Sequence, residues 1–373
     1  LCYQDQTEIL EHKTYYYPQK FELENGKTLP EFELVYHTWG TFDPQKNNVV
    51  WICHALTGNA DPSDWWKGLV GENDLFNPKD YFIICANVLG SPYGSTSPLS
   101  INPETQQKYY TEFPAVTIRD MVRAFDLLRK ELGIERIYMG LGGSLGGQQV
   151  VEWAIMQPDI FDNLVLMATN AQHSPWGIAF NETQRMAIYA DPTWNEHRDD
   201  AGQAGLEAAR ATALLSYRTY EMYELAQKEQ THEKLADYKA SSYQRYQGLK
   251  LVNRFNVHCY LTLANAMDSH NVARGRGSIQ NALRQVKART QVIGVTTDML
   301  FPIPEQRTLT EHIPNARLVE IHSRYGHDGF LVETPSLTDV IGKFMEDYVP
   351  LAFVRSNDHK VVVDYSKPKI PQK

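Results

Sequence analysis

The stretch MGLGGSLGGQQVVEW, residues 139–153, sets one serine, Ser144, between two glycine pairs. Residues Gly142 to Gly146 fit the pattern G-x-S-x-G, with a short apolar run before them and a helix-spaced run after them. That is the context of a nucleophile elbow, in which a strand turns sharply into a helix and exposes a strained serine. Glycine neighbours let strand and helix approach closely enough for the turn. A glycine-rich turn whose serine merely caps the helix accounts for the pentapeptide equally well. Phosphate-binding readings fit less. No Lys-Ser or Lys-Thr follows for a Walker loop, and position 145 lacks the glycine a dinucleotide fingerprint needs after Gly140 and Gly142.

A serine hydroxyl is a poor nucleophile until a base removes its proton, and the base needs an acid to hold its tautomer. On an elbow scaffold the order is serine, acid, histidine, with both partners on loops beyond late strands. Asp298 directly follows TQVIGVTT, and His327, in SRYGHDGF, falls beyond ARLVEIH. Each has an ordinary alternative, since Asp298 can cap the turn before Pro302 and His327 can be a surface loop residue. Together, three residue types stand in the required order at three required positions, which favours a Ser144–Asp298–His327 triad. His322, within the strand, and His359, in the tail, compete weakly. The oxyanion of an acyl-transfer intermediate needs two backbone donors. Leu145 N–H, directly after the nucleophile, is expected to be one. The second is expected from CHALTGNAD, after an early strand, at Leu56 N–H. For His54 and Thr57, hydrogen bonding within that loop is the expected role.

The elements that must position these residues alternate. FELENGKTLPEFELVYHTWG carries Asn25-Gly26 between alternating apolar runs, which reads as an antiparallel hairpin. NNVVWICHAL and DYFIICANVLG are continuous apolar runs of the kind buried on both faces of a parallel sheet. In TIRDMVRAFDLLRKELG, one helical face gathers Ile118, Met121, Val122, Phe125, Leu128 and Leu132. Thr117 and Asp120 are spaced as a capping box, and Gly133 can close the end. RIYMGL is a further strand, Gly146 to Gln157 a helix that stops before Pro158, and NLVLMAT the next strand. The rhythm breaks after Thr169. From Ser174 to Ile279 there are helical periodicities rich in Tyr, Leu and Ala but no convincing strand. Alternation then resumes with TQVIGVTTDMLFP, ARLVEIHS and the helical SLTDVIGKFMEDYV. The expected organisation is an α/β core in two parts, 1–173 and 280–373, interrupted by a helical lid insertion over 174–279. Only the tail DYSKPKIPQK reads as disordered.

Composition limits the function classes. At 373 residues, with 42% hydrophobic and 22% charged residues, the chain can bury a large core. A net charge of −9 argues against a general nucleic-acid binder. No apolar run approaches the roughly 18 residues of a membrane span, and Leu1 to Lys20 lacks the pattern of a signal peptide, so a cytoplasmic protein without membrane contact is expected. Cys2, Cys53, Cys85 and Cys259 show neither a disulfide framework nor metal-ligand spacing, so no metal is expected. Cys53 and Cys85 read as buried reduced thiols.

CHALTG, NVLGSPYGSTSP, GGSLGGQQVVEWA, YRTYE, RFNVHCYLTLANAMDSHNVARGRG, TTDMLFP and YGHDGFLVE, spread from about residue 30 to 345, together resemble the homoserine O-acetyltransferase family. The resemblance implies an α/β-hydrolase fold with a mostly parallel central sheet and a helical lid. It implies acetyl transfer from acetyl-CoA, as co-substrate with no bound cofactor, to the hydroxyl of L-homoserine by a ping-pong route in methionine biosynthesis. It also implies a homodimer formed through the lid helices. Carried over by position, Ser144, Asp298 and His327 are the triad, while Arg210 and Asp328 hold the amino acid, with Tyr217 a further candidate nearby. The pairing is chemically apt, because homoserine presents one carboxylate to a guanidinium and one ammonium to a carboxylate. Without the resemblance, Arg210 reads as a solvated helix charge. The chain departs from the family pattern at Leu145, at Gln148 and in GNADPSDWW, all near the acyl pocket. A succinyl donor or a serine acceptor on the same fold therefore stays open, and more remotely a serine esterase. ARGRGS, with Arg284, Lys287 and Arg289, supplies a basic stretch that can meet CoA phosphates, but a solvated turn followed by an amphipathic helix is the favoured reading.

Overall fold

The structure is a computed structural model that describes residues 12–347 and the backbone of 360–362. Cys2, His359 and the tail from Asp364 lie outside the described residues. Eleven strands are β1 (Lys13–Tyr17), β2 (Phe21–Glu22), β3 (Thr28–Leu29), β4 (Phe32–Trp39), β5 (Val49–Cys53), β6 (Phe82–Ala86), β7 (Ile137–Gly143), β8 (Phe161–Met167), β9 (Arg289–Val295), β10 (Ala316–Ile321) and β11 (Lys360–Val362). Nine of them make one sheet in the order β1-β4-β6-β5-β7-β8-β9-β10-β11. Only the β1–β4 and β4–β6 pairings are antiparallel; the others are parallel. This is the expected mostly parallel sheet of the α/β-hydrolase fold.

The continuous apolar runs follow from burial on both faces. In β5, Val49, Trp51 and Cys53 enter one apolar cluster while Val50 and Ile52 enter the other. In β6, Ile84 and Ala86 divide in the same way from Ile83 and Cys85. Helix Ile118–Glu131 has the expected capping box of Thr117 and Asp120, and Gly133 follows its end with φ 68°. Asp120 Oδ1 also accepts from Glu24 N–H at 2.8 Å, fastening the Asn25-Gly26 turn to the helix start.

That turn departs from the expectation in extent. β2 and β3 form a separate sheet of two residues each. The long alternating run of β4, with Phe32, Leu34 and Tyr36 buried, pairs with β1 instead. In β1, KTYYY, no residue is fully buried, so no apolar alternation marked it as a strand.

Between β8 and β9 the chain forms helices Pro175–Tyr189, Gln203–Tyr217, Tyr220–Gln227, Lys239–Val252, Val257–Asp268 and Ile279–Leu283. The last of these crosses the expected boundary at 279. Helix Val257–Asp268 is rooted in the body of the protein: Tyr260, Leu263 and Met267 belong to the larger apolar cluster, and Thr262 and Leu263 lie against Gly90. Among the described residues no helix is long and apolar enough to cross a membrane.

A close backbone approach lies where β7 enters helix Leu145–Met156. A Cβ on Gly142 would lie 2.5 Å from the carbonyl carbon of Gly146, and one on Gly146 would lie 2.1 Å from the carbonyl oxygen of Cys53 at the end of β5. Neither backbone can yield without separating strand from helix. Gly146→Ala is therefore expected to lower the urea midpoint by an amount equivalent to about 1–3 kcal/mol or more. Gly342→Ala, inside helix Thr334–Glu346 with its nearest neighbour 3.8 Å away, is expected to be neutral or to stabilise by up to about 1 kcal/mol. Equal midpoints for the two variants would contradict the close approach.

Candidate active site

Ser144 sits at the turn with φ 56° and ψ −126°, a conformation that costs a non-glycine residue on the order of 1–3 kcal/mol. Its N–H donates to Met167 O at 3.0 Å. Its carbonyl accepts from Thr169 Oγ1 at 2.8 Å and from Gln148 N–H at 3.2 Å. The backbone is thus held on three sides. The side chain makes no capping hydrogen bond to the helix it precedes, so helix capping does not explain a serine here. Burial pushes the thiols of the neighbouring Cys53 and Cys85 up, which leaves neither as a thiolate nucleophile near neutral pH.

Asp298 follows β9 and His327 follows β10, and their side chains meet with His327 Nδ1 2.7 Å from Asp298 Oδ2. The other carboxylate oxygen of Asp298 accepts from the N–H groups of Leu300 and Phe301 at 2.8 and 2.9 Å. Asp298 therefore caps its own turn and orients the histidine at once. The imidazole is buried among three rings, stacked on Phe301 at 5.1 Å, edge-on to Phe330 at 5.2 Å and tilted to Tyr217 at 5.7 Å. Phe330 also joins this loop to the elbow, since a Cβ on Gly143 would lie 2.3 Å from its ring. His322 stands just past β10, exposed, with Nδ1 3.0 Å from Thr296 Oγ1.

Leu145 opens its helix, where N–H groups have no intrahelical acceptor. Leu56 lies in the loop after β5, and its N–H finds no acceptor among the described residues. The two loops touch: Gln149 Nε2 donates to His54 O at 3.2 Å and to Leu145 O at 3.1 Å. His54 is consumed by the loop. Its Nδ1 lies 2.8 Å from Ala55 O, and its Nε2 accepts from Val88 N–H at 3.1 Å. Burial lowers its pKa to about 4, which keeps the ring neutral. Thr57 accepts from Arg254 through its carbonyl at 2.7 Å.

A cavity of about 380 Å³ opens beside these loops, lined by Ala55, Thr57 and Asp328 together with Arg210, Arg218 and Arg254 among others. Arg210 and Asp328, named from sequence, share it. Arg210 lies over the Tyr217 ring, 5.3 Å from its centroid, with no carboxylate partner among the described residues. Arg218, which spacing did not single out, stands next to Tyr217 in YRTYE and brings Nε to 2.8 Å from Asp328 Oδ2. That N–H lacks hydrogen-bond aim, so the contact is an ion pair by distance alone. Burial pushes the Asp328 carboxyl up, opposed by the two guanidiniums of Arg218 and Arg210. A chain of neutral amides also runs behind the elbow. Gln148 Nε2 donates to Asn170 Oδ1 at 3.0 Å, and Asn170 Nδ2 donates to Glu305 Oε2 at 2.8 Å. Burial raises the Glu305 pKa to about 7.

The basic stretch after residue 273 is mostly neutralised. Arg274 pairs with Glu24 at 2.7 Å, Arg276 with Glu152 at 2.6 Å and Lys287 with Asp159 at 2.8 Å. Arg289 donates to Asn163 Oδ1 at 3.1 Å and to Asp347 O at 2.8 Å. Arg274, Arg284 and Lys287 are exposed. The structural role accounts for the remainder.

The chain matches the α/β hydrolase fold family over residues 48–334. It is 49% identical over 330 residues to a homoserine O-acetyltransferase of Cyclobacterium marinum, covering 88% of this chain and 94% of that one. It is 42% identical to a homoserine O-acetyltransferase of Chlorobium chlorochromatii over 92% of this chain and 99% of the other. The crystal structure of homoserine O-acetyltransferase from Staphylococcus aureus superposes with a TM-score of 0.77 at 29% identity, covering 93% of this chain and 98% of that one.

The electrostatics yield a pH dependence. Burial pulls the His327 pKa down, but Asp298 above all, with Asp328 and Glu305, outweighs it, so the net shift is upward from 6.5. A base works when neutral, so kcat/KM for the acyl donor is expected to rise with pH through a midpoint above 6.5. Asp298→Asn removes the largest raising charge and should move the midpoint of the residual activity downward; Glu305→Gln should move it the same way by less. A midpoint that stays put in Asp298→Asn would mean that another group titrates.

Proposed function

The chain belongs to the homoserine O-acetyltransferases of the α/β-hydrolase fold, and on that premise we propose how its own residues carry the reaction in methionine biosynthesis. Ser144 Oγ attacks the acetyl carbon of acetyl-CoA while His327 takes the hydroxyl proton. The carbon–sulfur bond breaks, His327 returns the proton to the departing thiolate, and acetyl remains on Ser144. The homoserine hydroxyl then attacks this ester, its proton passes to His327, and O-acetylhomoserine leaves as Ser144 regains a proton. In both halves the developing oxyanion is held by Leu56 N–H and Leu145 N–H. Asp298 keeps the imidazole in the tautomer with Nε2 free to accept.

Homoserine binds in the cavity against the His327 loop, its carboxylate on Arg210 and its ammonium on Asp328, with Tyr217 beneath the guanidinium. The observation that carries this reading is the meeting of these charges in one cavity whose rim includes Asp328, the residue directly after the base. Of the expected lid segment 174–279, the helices other than the body-rooted Val257–Asp268 act as the lid that keeps water from the acyl-enzyme. The segment also carries most of the exposed large apolar side chains, among them Met186, Tyr220, Leu225, Leu235 and Tyr246, which supports a homodimer through the lid. Among the described residues Cys53, Cys85 and Cys259 are free and buried, which fits the reducing cytoplasm.

The adjacent residues His327 and Asp328 provide the test. In single turnover, His327→Ala should abolish thiol release from acetyl-CoA even without acceptor. Asp328→Asn should retain the thiol burst but lose acceptor kcat/KM. Truncating one partner of a buried charge pair costs roughly 2–5 kcal/mol, which at about 1.4 kcal/mol per tenfold is about 30-fold or more. Loss of the burst in Asp328→Asn would move that residue into the catalytic machinery. Unaltered use of homoserine would remove it from the acceptor site.

A further inference from the structure

The cavity holds more positive charge than its acceptor can use. Homoserine is a zwitterion, and one guanidinium with one carboxylate matches it. Arg210 and Asp328 supply these, and Arg218 is already paired with Asp328. Two cations on the same lining remain, Lys250 and Arg254. Lys250 lies in the last turn of helix Lys239–Val252, and Arg254 stands four residues on, just past the helix end. Lys250 is exposed and has no ion-pair or hydrogen-bond partner among the described residues. Among the described residues Arg254 is held only by neutral acceptors, Thr57 O at 2.7 Å, Tyr93 OH at 2.6 Å and Thr57 Oγ1 at 3.4 Å. Its charge is positioned but not cancelled. In a chain of net charge −9, whose basic stretch at 274–287 is largely spent on carboxylates, two such cations at one mouth mark a site for an anion.

We propose that Lys250 and Arg254 bind the phosphate groups of the CoA donor and so set which thioester the enzyme accepts; this rests on acetyl-CoA being the donor. Arg254 is braced against the loop that carries Leu56, so an anion on its guanidinium is registered to the oxyanion donors. Trp65, Leu331 and Val332, on the lining of the same cavity, offer apolar surface to the arm between phosphates and thioester. Lys250 adds a mobile point charge, which suits phosphate without demanding one geometry.

The full-length protein is assayed with acetyl-CoA and with acetyl-pantetheine, which has the same thioester and no phosphate. Wild type should prefer acetyl-CoA, and rising sodium chloride should erode that preference by screening. As for an exposed charge pair and its reversal, Lys250→Gln should cut the ratio of kcat/KM for the two donors about threefold, and Lys250→Glu about tenfold, through KM for acetyl-CoA. The lysine is exposed, so the fold is expected to survive both changes, and circular dichroism checks this. An unchanged ratio in both variants overturns the assignment, as does a wild type that uses acetyl-pantetheine as well as acetyl-CoA; transfer to homoserine would then survive without a phosphate site. A wild type that uses neither donor overturns the acetyltransferase reading, and the phosphate site with it.

Discussion

The structure depends on one close approach, that of β7 and β5 to the start of helix Leu145–Met156. Backbone meets backbone there with no room for a Cβ at Gly142 or Gly146. The chain satisfies this only by forcing Ser144 to positive φ, and the strain is offset by burial of the sheet and helix around it. A serine on such a turn has its hydroxyl set at the end of the strands, where the loops after β5, β9 and β10 also arrive. Because β5 lies between β6 and β7 in the sheet, the chain order reverses here and leaves a crevice at the carboxyl ends of the strands.

Around that fixed point the charged groups are shared between fold and chemistry. Asp298 uses one oxygen to hold its own turn and the other to orient His327. The imidazole is further locked by Phe301, Phe330 and Tyr217. Ring packing and a carboxylate fix its plane and tautomer before any substrate arrives, which lowers the reorganisation needed in the reaction. The cavity lined by Arg210 and Asp328 begins at the residue directly after His327.

Much of this was legible in the sequence where local rules govern. The elbow glycines, the Thr117–Asp120 capping box and the two-face runs of β5 and β6 each leave a mark within a few residues. The order of serine, acid and histidine reads directly once the late strands are recognised. Other features left no such mark. β1 is a strand because β4 pairs with it, and KTYYY shows no alternation. The roles of Asn170 and Glu305 depend on a hydrogen-bond chain across 135 residues of sequence between them. Arg218 and Arg254 differ from any surface arginine only in what folds against them. Conversely, ARGRGS reads as a solvated turn or, less readily, an anion site, and its arginines instead meet Glu24 and Glu152, brought from far up the chain.

In the proposed reaction acetyl rests on Ser144 between the two half-reactions. The most direct measurement is peptide mass mapping of the protein after acetyl-CoA is added without acceptor. One added acetyl group is expected on the peptide that contains Ser144, lost when homoserine is supplied. Acetyl found on a cysteine or lysine instead, or full transfer to homoserine by Ser144→Ala, would contradict it.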